Sequence, residues 1–189
     1  MATIYYTATT LDGFLATTDH SLDWLFEVPG ADEAESGLGD FMAGIGALAM
    51  GSTTYEWILE HEDMLEHPDT WLASYGDLPT WVFSHRDLPP IPGTGIRITS
   101  EDVRTVHAEM AAAAGDKDVW LMGGGDLVGQ FDDAGLLDRV IVSVVPVTLG
   151  AGAPLLPRDI RSDRLTLTKA EQAGQFAELT YDVRPRSAT

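Results

Sequence analysis

The sequence predicts an α/β fold: a mostly parallel sheet with helices on both faces and an antiparallel hairpin at the C-terminal end. Three observations predict it. Short β-branched or aromatic runs alternate with helix-length segments, the pattern of strands joined by helical crossovers. Runs such as 47–50 and 119–122 are apolar throughout, as strands buried on both faces are. Two later segments, near 165–171 and 175–182, alternate in polarity and meet across Ala173-Gly174, as the arms of a hairpin do.

The elements follow in order. Residues 2–9 form a strand, and Leu11-Asp12-Gly13 is a turn. After the breaker Pro29-Gly30, a short helix is expected from Asp32 to Met42. Ala47 to Met50 is a buried strand that stops at Gly51, and Ser52 is expected to cap a helix running to about Glu62. Residues 63–78 carry no clear period. Thr80-Trp81-Val82-Phe83 is a strand, followed by a proline-rich loop and a strand at Ile96 to Thr99. Ser100 is expected to cap a helix through Ala114, which Gly115 ends. Val119 to Met122 is a strand leading into Gly123-Gly124-Gly125, and a helix follows to about Ala134. Arg139 to Val145 is a strand, and 146–157 is a Gly/Pro loop before the hairpin. With no linker and no internal repeat, one domain over 1–189 is expected.

Composition narrows the function. The 189 residues carry 30 acids against 11 Lys and Arg, a net charge of −19. The first base is Arg86: residues 1–85 hold 15 acids and no Lys or Arg. Nucleic acid and anionic membrane are therefore unfavourable partners, because both need clustered cations. Cysteine is absent, which excludes thiolate nucleophiles and Cys-ligated metal. His61 and His67 lie among acids but match no zinc spacing, so no metal site is expected. The N-terminus lacks a basic start and a long apolar run, and no stretch approaches the roughly 18 apolar residues of a membrane span. A cytoplasmic protein acting on a small molecule is expected.

Three strand ends run into turns suited to phosphate. They are Met50-Gly51-Ser52-Thr53-Thr54, Val82-Phe83-Ser84-His85-Arg86 and Leu121-Met122-Gly123-Gly124-Gly125-Asp126, the last continuing into Leu127-Val128. Ligands of open α/β sheets sit beyond the carboxyl ends of the strands, where helix N-termini offer free N–H groups to anions. Three consecutive glycines let the backbone approach a pyrophosphate, and Arg86 can grip a further phosphate bidentately. Together they suggest a dinucleotide. Gly44-Ile45-Gly46-Ala47-Leu48-Ala49 fits a G-x-G-x-x-A pattern but precedes its strand, and no Gly-Lys pair or G-x-S-x-G elbow exists. Of the five tryptophans, Trp24 stands apart because it follows Asp23 in a polar loop.

These pieces also occur in a recognisable series. Tyr6 to Phe14 contains Leu11-Asp12-Gly13; Asp23-Trp24, Met50 to Glu56, Ser84-His85-Arg86 and the triglycine follow. Asp138-Arg139 to Val145, Pro146, Leu149-Gly150, Gly152 and Leu155-Leu156 complete it. From about Thr3 to Arg184 the chain resembles the dihydrofolate-reductase-like superfamily, and within it the riboflavin-biosynthesis reductase domain, the C-terminal half of the bifunctional deaminase-reductase.

The resemblance implies a dihydrofolate-reductase-like three-layer fold with a mixed sheet of about eight strands. It implies NADPH, with NADH as the alternative cofactor, and hydride transfer to a pterin-like, pyrimidine-like or carbonyl substrate. It places cofactor contacts at Gly13, Gly51, Ser52, Thr53, Thr54, Ser84, His85, Arg86, Gly123, Gly124, Gly125, Asp126, Leu127 and Val128. Asp12 and Asp23 are the candidate catalytic acids, for substrate contact or proton supply, with loop capping as their alternative role. A homodimer is implied, and the apolar strand Arg139 to Val145 is a candidate for its paired edge. A nucleotide-binding module with little or no catalysis is the competing reading. Two departures stand out. Ser52 replaces the Arg common in dihydrofolate reductases, and Asp32, Glu33, Glu35 and Asp40 compete for the place of their substrate-binding acid. Phosphate-binding bases near a substrate could come only from later residues such as Arg158, Arg161 and Arg164.

Overall fold

The computed structural model describes residues 1–29 and 38–186. Its elements are β1 (Thr3–Thr10), β2 (Phe14–Ala16), α1 (Asp23–Phe26), β3 (Ile45–Gly51), α2 (Ser52–His61), α3 (Asp69–Tyr75), β4 (Thr80–Phe83) and β5 (Ile96–Thr99). Then come α4 (Val103–Ala114), β6 (Asp118–Leu121), α5 (Gly125–Asp133), β7 (Arg139–Val145), β8 (Ala153–Pro154), β9 (Leu165–Ala173) and β10 (Phe176–Val183). Eight strands form one sheet in the order β5-β4-β3-β6-β1-β7-β10-β9, and β2 pairs with β8 separately. Strands β5 through β7 in that order are all parallel, and β10 and β9 are antiparallel. The mixed, mostly parallel sheet with a closing hairpin is the fold that the sequence predicts.

Period-two alternation explains why helices cover both faces. Ala47 and Ala49 of β3, Trp81 of β4, and Val119 and Leu121 of β6 pack with Val106 and Met110 of α4 and Phe131 of α5. The intervening Leu48, Met50, Val82 and Trp120 pack on the other face with Tyr55 and Ile58 of α2 and Trp71 of α3. Successive side chains of a strand point to opposite faces, so strands buried on both sides must be apolar at every position. Each large side chain removed from water contributes about 1.5–3 kcal/mol.

Several local expectations change. Ser52 does not cap α2; Gly51 occupies that position, no side chain caps the helix, and Ser52 is its first residue. Asp102 rather than Ser100 caps α4, its carboxylate accepting from the Arg104 N–H at 2.8 Å. Gly115 ends α4 as expected. The strand Arg139 to Val145 is not an edge: β7 is paired on one side with β1 and on the other with β10. Its apolar pattern reflects burial inside the sheet. The edges are β5 and β9. Of the predicted helix from Asp32 to Met42, residues 38–43 are helical, while Asp32, Glu33 and Glu35 lie outside the described residues.

Candidate cofactor and substrate site

The sheet brings the three predicted strand ends side by side. β4, β3 and β6 are neighbours, with Gly51 in register with Phe83 and Ala49 with Leu121. The Met122 N–H donates to the Ala49 carbonyl at 2.8 Å, carrying the pairing one residue beyond β6. The chain then turns through Gly123 and Gly124, with φ of 72° and 82°, a left-handed conformation that favours glycine. A β-carbon on Gly123 would lie 3.0 Å from Thr54 Oγ1, so this loop touches the first turn of α2. Gly125 opens α5 hard against the backbone of Pro154 and Leu155, where a β-carbon would overlap both carbonyl oxygens. No side chain caps α2 or α5, so both N-termini present free N–H groups and the positive end of a helix dipole.

The third end is tied to the first through Arg86. Its guanidinium donates to both Glu56 carboxylate oxygens at 2.8 and 2.6 Å and to Ser52 Oγ at 2.9 Å. The Ser84 hydroxyl accepts from the Arg86 N–H at 2.9 Å, shaping the turn. His85 is exposed on the same turn. Because Arg86 is 57% exposed, its ion pair with Glu56 is worth little, and an incoming phosphate can compete for it.

Beside these ends lies a cavity of about 400 Å³. One wall is Thr53, Thr54 and residues 123–126. The lining continues through Leu22, Trp24 and Leu25 before and in α1 and through Trp57 and Ile58 of α2, with the exposed His20 also beside it. Trp57 and Ile58 follow Thr53 and Thr54 by helical spacing, a signal that could have found them; His20 and Tyr75 had none. Burial, with Glu62 nearby, pushes the Tyr75 phenol up and keeps it neutral.

The candidate acids sit elsewhere. Asp12 accepts from Thr10 Oγ1 at 2.6 Å, from the Gly150 N–H at 2.7 Å and from the Leu149 N–H at 3.1 Å. Thr10, followed by those amides, holds its carboxyl below the ordinary value. Asp12 thus caps the loop after β7. Gly13, which does not line the cavity, accepts at its carbonyl from the Leu155 N–H at 2.9 Å and joins the same loops. Asp23 is exposed, lies off the cavity wall and begins α1. Asp126 lines the cavity with its charge partnered by Arg158 at 3.1 Å. Leu127 and Val128 are core residues, and the Val128 N–H is spent on the Gly124 carbonyl, so they support the loop from behind. Arg164 turns to Asp132, and Arg161 pairs with Asp159.

The RibD C-terminal domain family matches residues 2–177 of this sequence. The chain belongs to that family. Two relatives in Bacillus subtilis are uncharacterized proteins: YwjB is 32% identical over 95% of this chain and 96% of its own, and YyaP is 31% identical over 78% and 76%. Among solved structures, a stand-alone Shewanella sp. PV-4 protein provisionally named for riboflavin biosynthesis superposes with a TM-score of 0.76 at 25% identity, covering 98% of this chain and all of the other. A Thermotoga maritima protein named as a diaminohydroxyphosphoribosylaminopyrimidine deaminase/5-amino-6-(5-phosphoribosylamino)uracil reductase superposes at 0.68 with 15% identity. This RibD-type chain covers 98% of itself but only 56% of that longer protein.

Proposed function

We propose that this RibD-family chain is a single-domain, cytoplasmic, NADPH-dependent reductase of a small heterocyclic or carbonyl substrate. The observation that carries the reading is that three strand ends lie side by side, two of them leading through uncapped helix N-termini to the cavity at Thr53, Thr54 and Gly123 to Asp126. The residues fit a nicotinamide dinucleotide. Gly123 to Gly125 and the starts of α2 and α5 suit its pyrophosphate. Ser52, Ser84, His85 and Arg86 surround a place for the adenosine 2′-phosphate. When bound, the reduced nicotinamide supplies a hydride to an electrophilic C=N or C=O carbon, whose heteroatom takes a proton.

The chain's own part is positioning and exclusion of water. Asp12 fixes the loop after β7, and Asp23 starts the helix that places Trp24; both act in this reading as positioning residues. His20, beside the cavity, is the group placed to pass a proton. Self-association, which the resemblance implies, has the long exposed edge β9 available to it. The competing reading, a nucleotide-binding module without catalysis, is favoured by neither acid being among the residues that line the cavity. Substrate-dependent oxidation of NADPH separates the two readings.

Arg86→Ala tests the phosphate assignment. Affinity for NADPH is expected to fall about ten- to hundredfold while that for NADH changes little, because one charge-assisted phosphate contact is worth about 1.5–3 kcal/mol and each 1.4 kcal/mol is about tenfold. Equal loss for both cofactors in parallel titrations places the 2′-phosphate away from Arg86.

A further inference from the structure

We infer that Glu56 sets the choice between NADPH and NADH: its carboxylate occupies the grip of Arg86 and works against the 2′-phosphate assigned to that place. This rests on the reductase reading and deepens its cofactor assignment. Three observations carry it.

The first is occupancy. The Arg86 guanidinium meets Glu56 end-on, one Nη to each carboxylate oxygen at 2.8 and 2.6 Å, and the second Nη also donates to Ser52 Oγ at 2.9 Å. Three of the five N–H donors are thereby spent, among them the parallel pair that grips a phosphate bidentately. An incoming phosphate must displace the carboxylate or settle for the outer N–H groups.

The second is position. Ser52 and Glu56 stand four residues apart on α2 and share one face of the helix, the face that Arg86 crosses. Glu56 is fixed in the second turn of α2 by its backbone. It therefore stays beside the phosphate's place even when Arg86 lets go of it, and its charge then repels the phosphate.

The third is charge. Arg86 and Glu56 cancel, so a 2′-phosphate with about two negative charges meets a neutral pair rather than a cation. Neither β3 nor α2 contains a Lys or Arg to replace the lost charge. The pair is exposed, 57% for Arg86 and 35% for Glu56, and solvent and salt screen it. Glu56 thus lowers NADPH affinity by a modest factor and does not close the site. NADH brings a neutral ribose hydroxyl to the same place, and a carboxylate readily accepts from such a hydroxyl. The acid narrows the preference for NADPH and keeps NADH usable.

The test measures binding rather than turnover. NADPH and NADH are titrated by fluorescence, and 2′,5′-ADP and 5′-AMP by calorimetry, into the wild-type chain and into Glu56→Gln. The last two probes differ only in the 2′-phosphate and lack the nicotinamide, so they report the phosphate contact alone. Glu56→Gln keeps the side chain's length and removes its charge. At low salt it is expected to tighten NADPH and 2′,5′-ADP about three- to tenfold and to move NADH and 5′-AMP by less than about twofold. The gain is expected to shrink as salt rises. Glu66→Gln, which removes an exposed acid elsewhere in the same half of the chain, is the control and is expected to leave the NADPH-to-NADH ratio unchanged. An unchanged or lowered ratio in Glu56→Gln, or an equal gain for both nucleotides, overturns the inference. If Arg86→Ala still weakens NADPH selectively in that case, the reductase reading stands without it. Failure of both proteins to bind either dinucleotide overturns the reductase reading itself.

Discussion

Replacing Asp132 by alanine is expected to cost about 3–5 kcal/mol, the effect of removing one partner from a buried ion pair. Asp132 is completely buried on α5. Its two carboxylate oxygens accept from Arg164 at 2.6 and 3.1 Å and from Arg186 at 3.0 Å. Arg164 also donates to the Arg184 carbonyl at 2.9 Å, so one carboxylate gathers the C-terminal end of α5, the approach to β9 and the segment after β10. Without it, the Arg164 guanidinium, whose side chain is 14% exposed, keeps its charge and loses its counter-charge. For a chain of this size the loss corresponds to a fall of about 6–20 °C in Tm. Burial alone would raise the Asp132 carboxyl, but the hydrogen bonds and charges of Arg164 and Arg186 outweigh it and hold the carboxyl below its ordinary value. A depressed carboxylate contributes stability above its unfolded-state pKa, about 3.9, and loses it as pH falls through the folded value. The Asp132→Ala protein is therefore expected to lack part of the wild-type acid transition. A loss below about 1 kcal/mol by urea unfolding, with an unchanged acid limb, contradicts the assignment.

Gly125→Val is expected to damage the proposed cofactor wall more than any other single change there. Its β-carbon falls on the Pro154 and Leu155 carbonyl oxygens, which are backbone and cannot swing aside. Either α5 or β8 must move, at an overpacking cost of about 1–3 kcal/mol. The displaced helix N-terminus carries the triglycine loop with it, so NADPH affinity is expected to fall about tenfold or more, roughly 1.4 kcal/mol or more. Gly95→Ala, where a β-carbon meets nothing within 4 Å, serves as the control and is expected to bind NADPH as wild type does. Wild-type affinity in Gly125→Val refutes the packing of that loop as the cofactor wall.

Sequence patterning exposed those elements whose identity depends on neighbours close along the chain. β3, β6 and β7 are apolar at nearly every position, and β9–β10 alternate around a turn at Gly174, whose φ is 58°. What stayed hidden depends on distant contacts. β2 and β8 are three and two residues long and exist because Phe14 and Ala16 meet Pro154 and Ala153 across the chain. α1 is a four-residue helix without a cap, too short to show a period. The same divide runs through the site. Glycine turns after apolar strands pointed to the wall proposed to hold the cofactor, because a turn's chemistry is local. Loop capping was one of two roles open to Asp12 in the sequence, but which loop it caps was not legible, since its backbone donors at Leu149 and Gly150 lie 137 and 138 positions away.

The most direct test of the central claim is a parallel fluorescence titration of the purified protein with NADPH and NADH at moderate salt. The convergence of the three strand ends predicts saturable NADPH binding with Kd on the order of micromolar, and weaker NADH binding because only NADPH carries the phosphate placed against Arg86. Binding of neither nucleotide, by a protein whose unfolding transition is cooperative, contradicts the claim and leaves the reductase-like fold without the cofactor assigned to it.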